Sequence, residues 1–458
     1  MAPQNISKNT KLLIALSIVV AIIAVVGIAA LSFNWKGKAG GGATKVVKEE
    51  KVIIKKKVSV EYPLEFEELK GAMAVQPLTY PQPDGSTFLF VNTLNGTREI
   101  WTIKGMKVIG RFVIKGPVVP VFDVRKGESA VMNGKLLLGI NGTLYAIRGN
   151  ESEPVGKYNL LPGAKVGIFV KKGKVYAWLV KQVKEKDNTT VVYCLLYDVA
   201  KGKLLSNYTF NLGKNVTAAN PLPDLLDGDG CLVLWVKRMS PIMYYYYKGK
   251  NGEAKGSEDL LKMKVATFAP LFLEDSPYHS KPYFMLISLG QRGNFVLRFY
   301  DILKNSTVSY TLPGLYNFVG VGDYFGKGYV GNALFLVINR NGMNIYIFDV
   351  NGNYQNITVG KLSKTLSVVT GLYSGEATKR VFGLGNFTNT TVVVKSNVGE
   401  LKFKVINVPQ KISSMFIVIN KEGERLCYTA IVNPTVGGLT TAQQLLKGKV
   451  YLANGCWG

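Results

Sequence analysis

The sequence predicts an all-β chain hung from one N-terminal membrane helix, and three observations carry that prediction. Residues Leu12 to Phe33, LLIALSIVVAIIAVVGIAALSF, hold no charge for 22 positions. Beyond about Gly71 the chain breaks into short runs rich in Val, Ile, Leu, Tyr and Phe, separated by Gly, Asn, Asp and Pro turns. Those runs recur in a unit of about 50 residues, the length of a four-stranded propeller blade.

The N-terminal stretch comes first in the chain. At about 1.5 Å per helical residue it spans roughly 33 Å, enough for the hydrocarbon core of a bilayer. Its β-branched residues make a poor helix in water. In lipid, however, every backbone amide must be bonded within its own segment, which forces the helix. Trp35 stands where an interfacial aromatic belongs. The length and the weak small-residue sites after it favour an uncleaved anchor over a cleaved signal segment. Lys8 and Lys11 precede the stretch, and Lys36, Lys38, Lys45 and Lys48 follow it. The positive-inside rule therefore leaves the orientation open.

Cysteines and sequons decide it. Cys427 and Cys456 flank a returning strand and would staple the C-terminus; Cys194 and Cys231 fall on neighbouring apolar strands and could form a second bridge. Four buried thiols are the alternative. Asn-x-Ser/Thr occurs at Asn95, Asn141, Asn150, Asn188, Asn207, Asn215, Asn305, Asn356, Asn386 and Asn389, all beyond the helix and mostly in turn contexts. Both features belong outside the cytosol. The expected division is thus a cytoplasmic tail (1–11), a transmembrane helix (12–33), a linker and lead-in strand (34–70) and an extracellular β ectodomain (71–458).

Hydrophobic content of 47% with 11% aromatics excludes a disordered chain. The net charge is +26, from 56 basic and 30 acidic residues. Apart from Lys55-Lys56-Lys57 the cations are scattered. That pattern disfavours nucleic acid and suits a solubilising surface or an anionic partner such as acidic glycans.

Within the ectodomain, TFLFVNTLNGTREIWTIKG, GKLLLGINGTLYAIRG and NALFLVINRNGMNIYIFDVNG read as hairpins joined by Asn-Gly turns. Asp123 precedes Asn141-Gly142 by 18 residues, and Asp323 precedes Asn341-Gly342 by the same 18. Related acidic-glycine turns stand at Asp227-Gly228-Asp229-Gly230 and Ser374-Gly375-Glu376. Counted between Asp123, Asp227, Asp323 and Ser374, the intervals are 104, 96 and 51 residues, or two, two and one copies of the unit. The expected fold is therefore a seven- or eight-bladed β-propeller, with blades starting near Gln76, Pro117, Ala164, Val216, Lys264, Leu315, Leu366 and Lys411. Val52 to Val60 would close the ring by pairing with the terminal GKVYL.

The unit of strand, acidic-glycine loop and apolar strand, clearest at Gly322-Asp323-Tyr324-Phe325-Gly326-Lys327-Gly328, resembles the FG-GAP or VCBS repeats of extracellular β-propellers. The resemblance covers about four units and implies a surface-exposed binding or structural module. It also implies calcium in such loops, and Asp224, Asp227 and Asp229 are the candidate ligands; at the closest match only Asp323 remains and Lys327 occupies the middle.

Little else points to catalysis. The chain holds one histidine, His279, so no His-cluster metal site can form, and no GxSxG elbow seats a serine beside it. The run Tyr244-Tyr245-Tyr246-Tyr247 is expected to place two rings in the core and two on a surface, where they could bind a partner. The leading function is a non-catalytic, glycosylated cell-surface propeller for adhesion, envelope scaffolding or partner binding, of a kind suited to an archaeal envelope, with a homo-oligomer open to it. The alternatives are an extracytoplasmic glycan-acting enzyme and a filament subunit with its helix in a shaft.

Overall fold

The computed structural model describes residues 60–158, 161–361, 366–374, 377–388, 390–408, 414–433 and 449–458. The expected tail, membrane helix and tether lie outside these residues, as do Asn389 and the Gly375-Glu376 turn. Among the described residues no helix is long and apolar enough to cross a membrane.

Nearly all regular structure is strand. Four four-stranded sheets stand alone, covering 72–113, 216–259, 265–312 and 315–360. Two larger sheets each divide at one parallel pairing into two antiparallel units: 118–157 with 165–214, and 366–406 with 414–457. Numbered along the chain, these units begin at Ala72, Val118, Lys165, Val216, Val265, Leu315, Leu366 and Ser414, within four residues of the starts expected from the repeat. Each is a run of hairpins, which is why the local sequence pattern locates it. At Asn141-Gly142, for example, φ is 49° and 83°, the left-handed pair that a tight two-residue hairpin turn demands.

The apolar clusters show how the units sit together. Leu138 and Ile140 of unit 2 pack on Phe88 and Ile100 of unit 1. The same pattern passes from unit 2 to 3, 3 to 4, 4 to 5, 5 to 6, 6 to 7 and 7 to 8. Ile431 and Leu452 of unit 8 then pack on Leu89 and Trp101 of unit 1. The sequence of contacts closes on itself, so the sheets form a ring of face-packed blades, a β-propeller. A sheet with neighbours on both faces buries both. Second strands accordingly read as continuous apolar runs, such as Gly230–Lys237, while the outermost strand Glu151–Lys157 is exposed.

The expected closing strand Val52–Val60 lies, up to residue 59, outside the described residues, and the segment just after it meets the terminal run. Strand β1 (Glu61–Glu65) runs parallel along Gly399–Ile406 of unit 7, and β2 (Glu67–Glu68) pairs antiparallel with Tyr451 and Leu452 as the outer strand of unit 8. The reason lies in the alternation of Leu64 and Phe66, 0% and 2% exposed between units 7 and 8, with the glutamates facing out.

The two ends of the ring carry different loops. The acidic-glycine loops join first to second strands and share one end with the third-to-fourth turns. The Asn-Gly turns join second to third strands and share the other end with the connections between units.

Candidate functional site at the Asp-loop end of the axis

First-to-second loops from six units meet at one end of the axis. The loop after Val118–Asp123 of unit 2 crosses the ring. Its Arg125 donates through Nη1 to Glu274 Oε2 at 2.8 Å and through Nη2 to Asp227 Oδ1 at 3.1 Å. Nη2 also lies 2.5 Å from Glu274 Oε1. Both carboxylates are fully buried, and each has other partners: Ser280 N and Lys171 Nζ for Asp227, Val330 N for Glu274. Burial pushes the Glu274 carboxyl up, while the Val330 amide and Arg125 pull it down. Arg125 and Lys172 both lie over the exposed ring of Tyr278, at 4.4 and 4.5 Å.

The other side of the same loop meets units 1, 6 and 7. Arg380 of unit 7 donates to Val321 O at 2.5 Å and lies 5.3 Å from the Tyr324 ring. It packs so close to unit 2 that a Cβ on Gly127, whose φ is +72°, would stand 2.3 Å from the guanidinium carbon, so a larger residue there would be strained and would displace Arg380. Beside it Glu128 accepts from Tyr80 N at 2.5 Å, and burial pushes its carboxyl from 4.5 up to about 7. One connection, between Asp123 and Lys135, thus ties unit 2 to units 4 and 5 through Arg125 and to units 1 and 7 through Gly127 and Glu128.

The expected calcium ligands sit in this region but do not converge. Asp224 accepts the amides of Leu226, Asp227 and Asp229, and burial raises its carboxyl to about 6. Asp227 faces Arg125 and Lys171, and Asp229 faces Lys250 at 3.1 Å. Three oxygens aimed at three different partners leave no common focus. Among the described residues no group of three His, Cys, Asp or Glu side chains could hold a metal. Asp323 likewise spends its oxygens on the amides of Gly326, Lys327 and Gly328, while Lys327 turns to Asp349 at 3.1 Å.

Both expected disulfides are formed. Cys194–Cys231 links unit 3 to unit 4, and Cys427–Cys456 joins two strands of unit 8 at directly opposed positions. The tyrosine run alternates as expected, yet its second face is not open. Tyr245 and Tyr247 lie in the interface of units 4 and 5, and Tyr244 and Tyr246 are half-buried in that of units 3 and 4. Tyr244 stacks on Trp235 and Tyr246 meets Phe210 edge-on. A surface role for that pair does not fit a strand inside a ring, whose two faces both meet neighbours.

Asn95, Asn141, Asn150, Asn188, Asn207, Asn215, Asn305 and Asn356 are all exposed, and Asn386 is half-buried. None stands on a first-to-second loop. Asn95, Asn141, Asn188 and Asn215 lie at the Asn-Gly end, Asn150 and Asn305 in third-to-fourth turns, and Asn207 and Asn356 on outermost strands. His279 is exposed and pairs with Asp275 at 3.3 Å. Among the described residues, a cavity of about 290 Å³ beside Lys135 and Glu153 and one of about 80 Å³ beside Asp275 and Asp301 both fall below the size usual for a ligand pocket.

Strand order and closure of the ring define the class, an all-β propeller protein. No known family's sequence profile matches the chain, and no curated protein matches it. Among solved structures it is similar to BamB from Moraxella catarrhalis (12% identity, TM-score 0.37, covering 86% of this chain and 100% of that one). It is also similar to the WD40 domain of SCAP from fission yeast (11%, 0.34, 83% and 94%). An oligogalacturonate lyase solved with manganese gives 9%, 0.38, 86% and 97%.

Proposed function

We propose that this chain is a non-catalytic, single-pass membrane protein that displays a glycosylated, eight-bladed propeller outside the cell for adhesion, envelope scaffolding or partner binding. The observation that carries the reading is the exposure of eight sequon asparagines, all in turns, unit connections or outermost strands. A glycosyltransferase needs such access. The two disulfides agree with an oxidising compartment. The acids at the axis support a structural role, because Asp227 and Glu274 are held by Arg125 and backbone amides instead of lining an open cleft. The uncharged run 12–33 supplies the anchor.

Glycopeptide mass spectrometry on protein taken from the native membrane fraction tests this. Sugars are expected on most of the eight exposed asparagines and both cysteine pairs oxidised. Bare asparagines with reduced thiols in a soluble fraction would end the proposal.

A further inference from the structure

We infer that the Asn-Gly end of units 4 to 6 is a docking surface for an anionic lipid bilayer; this rests on the reading of residues 12–33 as a membrane anchor. Five large aliphatic side chains protrude there: Met239, Leu261, Leu315, Leu289 and Ile338 are 98%, 73%, 66%, 57% and 37% exposed. They stand on consecutive elements of one surface. Leu289 N bonds Lys264 O, Leu260 N bonds Pro241 O, Phe295 meets the Tyr316 ring at 4.9 Å, and Leu315 is paired with Ile338. An apolar cluster of this kind on a soluble face marks an interaction site.

Charge and sequon placement name the occupant. Lys237, Arg238, Lys262, Lys264, Arg340 and Lys361 flank the apolar tips, against Glu258 and Asp259. At this end Asn215 and Asn386 border the sector, and the two sequons between them lie elsewhere: Asn305 in a turn at the opposite end, Asn356 on the outer wall. The sector between them therefore carries no sequon at this end, and Asn215, whose carbonyl accepts from Arg238 N, marks its edge. The exposed apolar tips are aliphatic with no exposed aromatic, whereas protein interfaces draw on Tyr and Trp. Aliphatic tips within a cationic fringe fit a headgroup layer, where the tips enter the acyl boundary and each Lys or Arg gains from anionic lipid. Residues 34–59, at up to about 3.5 Å each, reach roughly 90 Å, enough for this end to meet the bilayer that holds the anchor.

The full chain is reconstituted into phosphatidylcholine vesicles with and without phosphatidylglycerol, carrying an environment-sensitive dye on Leu261→Cys or, as control, Lys201→Cys at the opposite end. The described cysteines are all paired, so the added thiol is the one that labels. Nitroxide-labelled lipid is expected to quench the dye at 261 in anionic vesicles and not at 201. Arg238→Ala and Lys262→Ala should each lower the docked-to-free ratio about fivefold. Flotation after an alkaline carbonate wash reports the anchor separately. A chain that floats with an unquenched dye at 261 overturns docking and leaves the anchor standing; a quenched dye on a chain that the wash strips off keeps docking and removes the anchor. A lipid-independent, concentration-dependent shift at 261 would assign the patch to a second copy and overturn the inference.

Discussion

Arg125 holds two buried carboxylates from two different blades, and that makes it the residue whose loss the ring should feel most. Removing one partner of a buried ion pair leaves an uncompensated charge and costs about 3 kcal/mol or more. Lys171 still serves Asp227, but Glu274 would keep only the Val330 amide. Arg125→Ala is expected to lower the unfolding free energy by that amount, read as a lower urea midpoint at unchanged slope, with Glu274→Gln recovering part of it in the double variant. An unchanged midpoint would mean that the cross-ring contact adds nothing. Glu128 gives a pH signature of opposite sense. Its folded carboxyl titrates near 7 and its unfolded one near 4.5, so the folded chain holds the proton more tightly. The resulting penalty is absent below about pH 4, grows through the interval and is complete above 7. Glu128→Gln keeps the oxygen that accepts from Tyr80 N and removes the charge. It should therefore stabilise the protein by about 1 to 3 kcal/mol at pH 8 and by nothing at pH 4. Equal shifts at both values would contradict that account.

Individual strands and blades were legible in the sequence because each blade is a set of local hairpins, and hairpins announce themselves through β-branched runs and Asn-Gly turns. The Asp-Gly repeat was legible for the same reason: Asp123, Asp227 and Asp323 all stand at or just after the end of a first strand. Contacts across the axis were not. Arg125 and Glu274 lie 149 positions apart and Glu128 and Tyr80 lie 48 apart, and nothing local in DVRKGES tells which blade its side chains will reach. The tyrosine run misled for a related reason, since alternation tells which face a ring points to but not whether another sheet covers that face. The Cys194–Cys231 bridge ties two such neighbouring sheets across their shared core. Replacing both with alanine should cost about 2 to 4 kcal/mol, read as a shift that the parent protein reproduces on adding reductant. A parent that ignores reductant would show the bridge to be without effect on stability.

At the scale of the whole molecule, the ring is closed by residues that precede its first blade. Leu64 and Phe66 fill the interface of units 7 and 8, and Glu67 and Glu68 give unit 8 its outer strand. Trp457 at the far end of the chain donates to Pro63 O at 2.8 Å, so both termini of the propeller are tied at the same seam. While this seam is shut the ring presents only the outermost strand of each blade as an edge, and an open one exposes further strands able to pair with other chains. The consequence is specific to place. A chain starting at Val60 should protect its backbone amides as the full protein does. One starting at Leu69 loses two fully buried side chains, worth several kcal/mol together, and should lose hydrogen-exchange protection first in Gly399–Ile406 and Tyr451–Trp457. Units 3 to 5, which make no contact with the missing segment, should exchange at their former rates until the ring opens. Uniform loss across all blades would mean that the ring unfolds as one body, and unchanged protection at the seam would mean that β1 and β2 are ornament to a ring already closed by units 8 and 1.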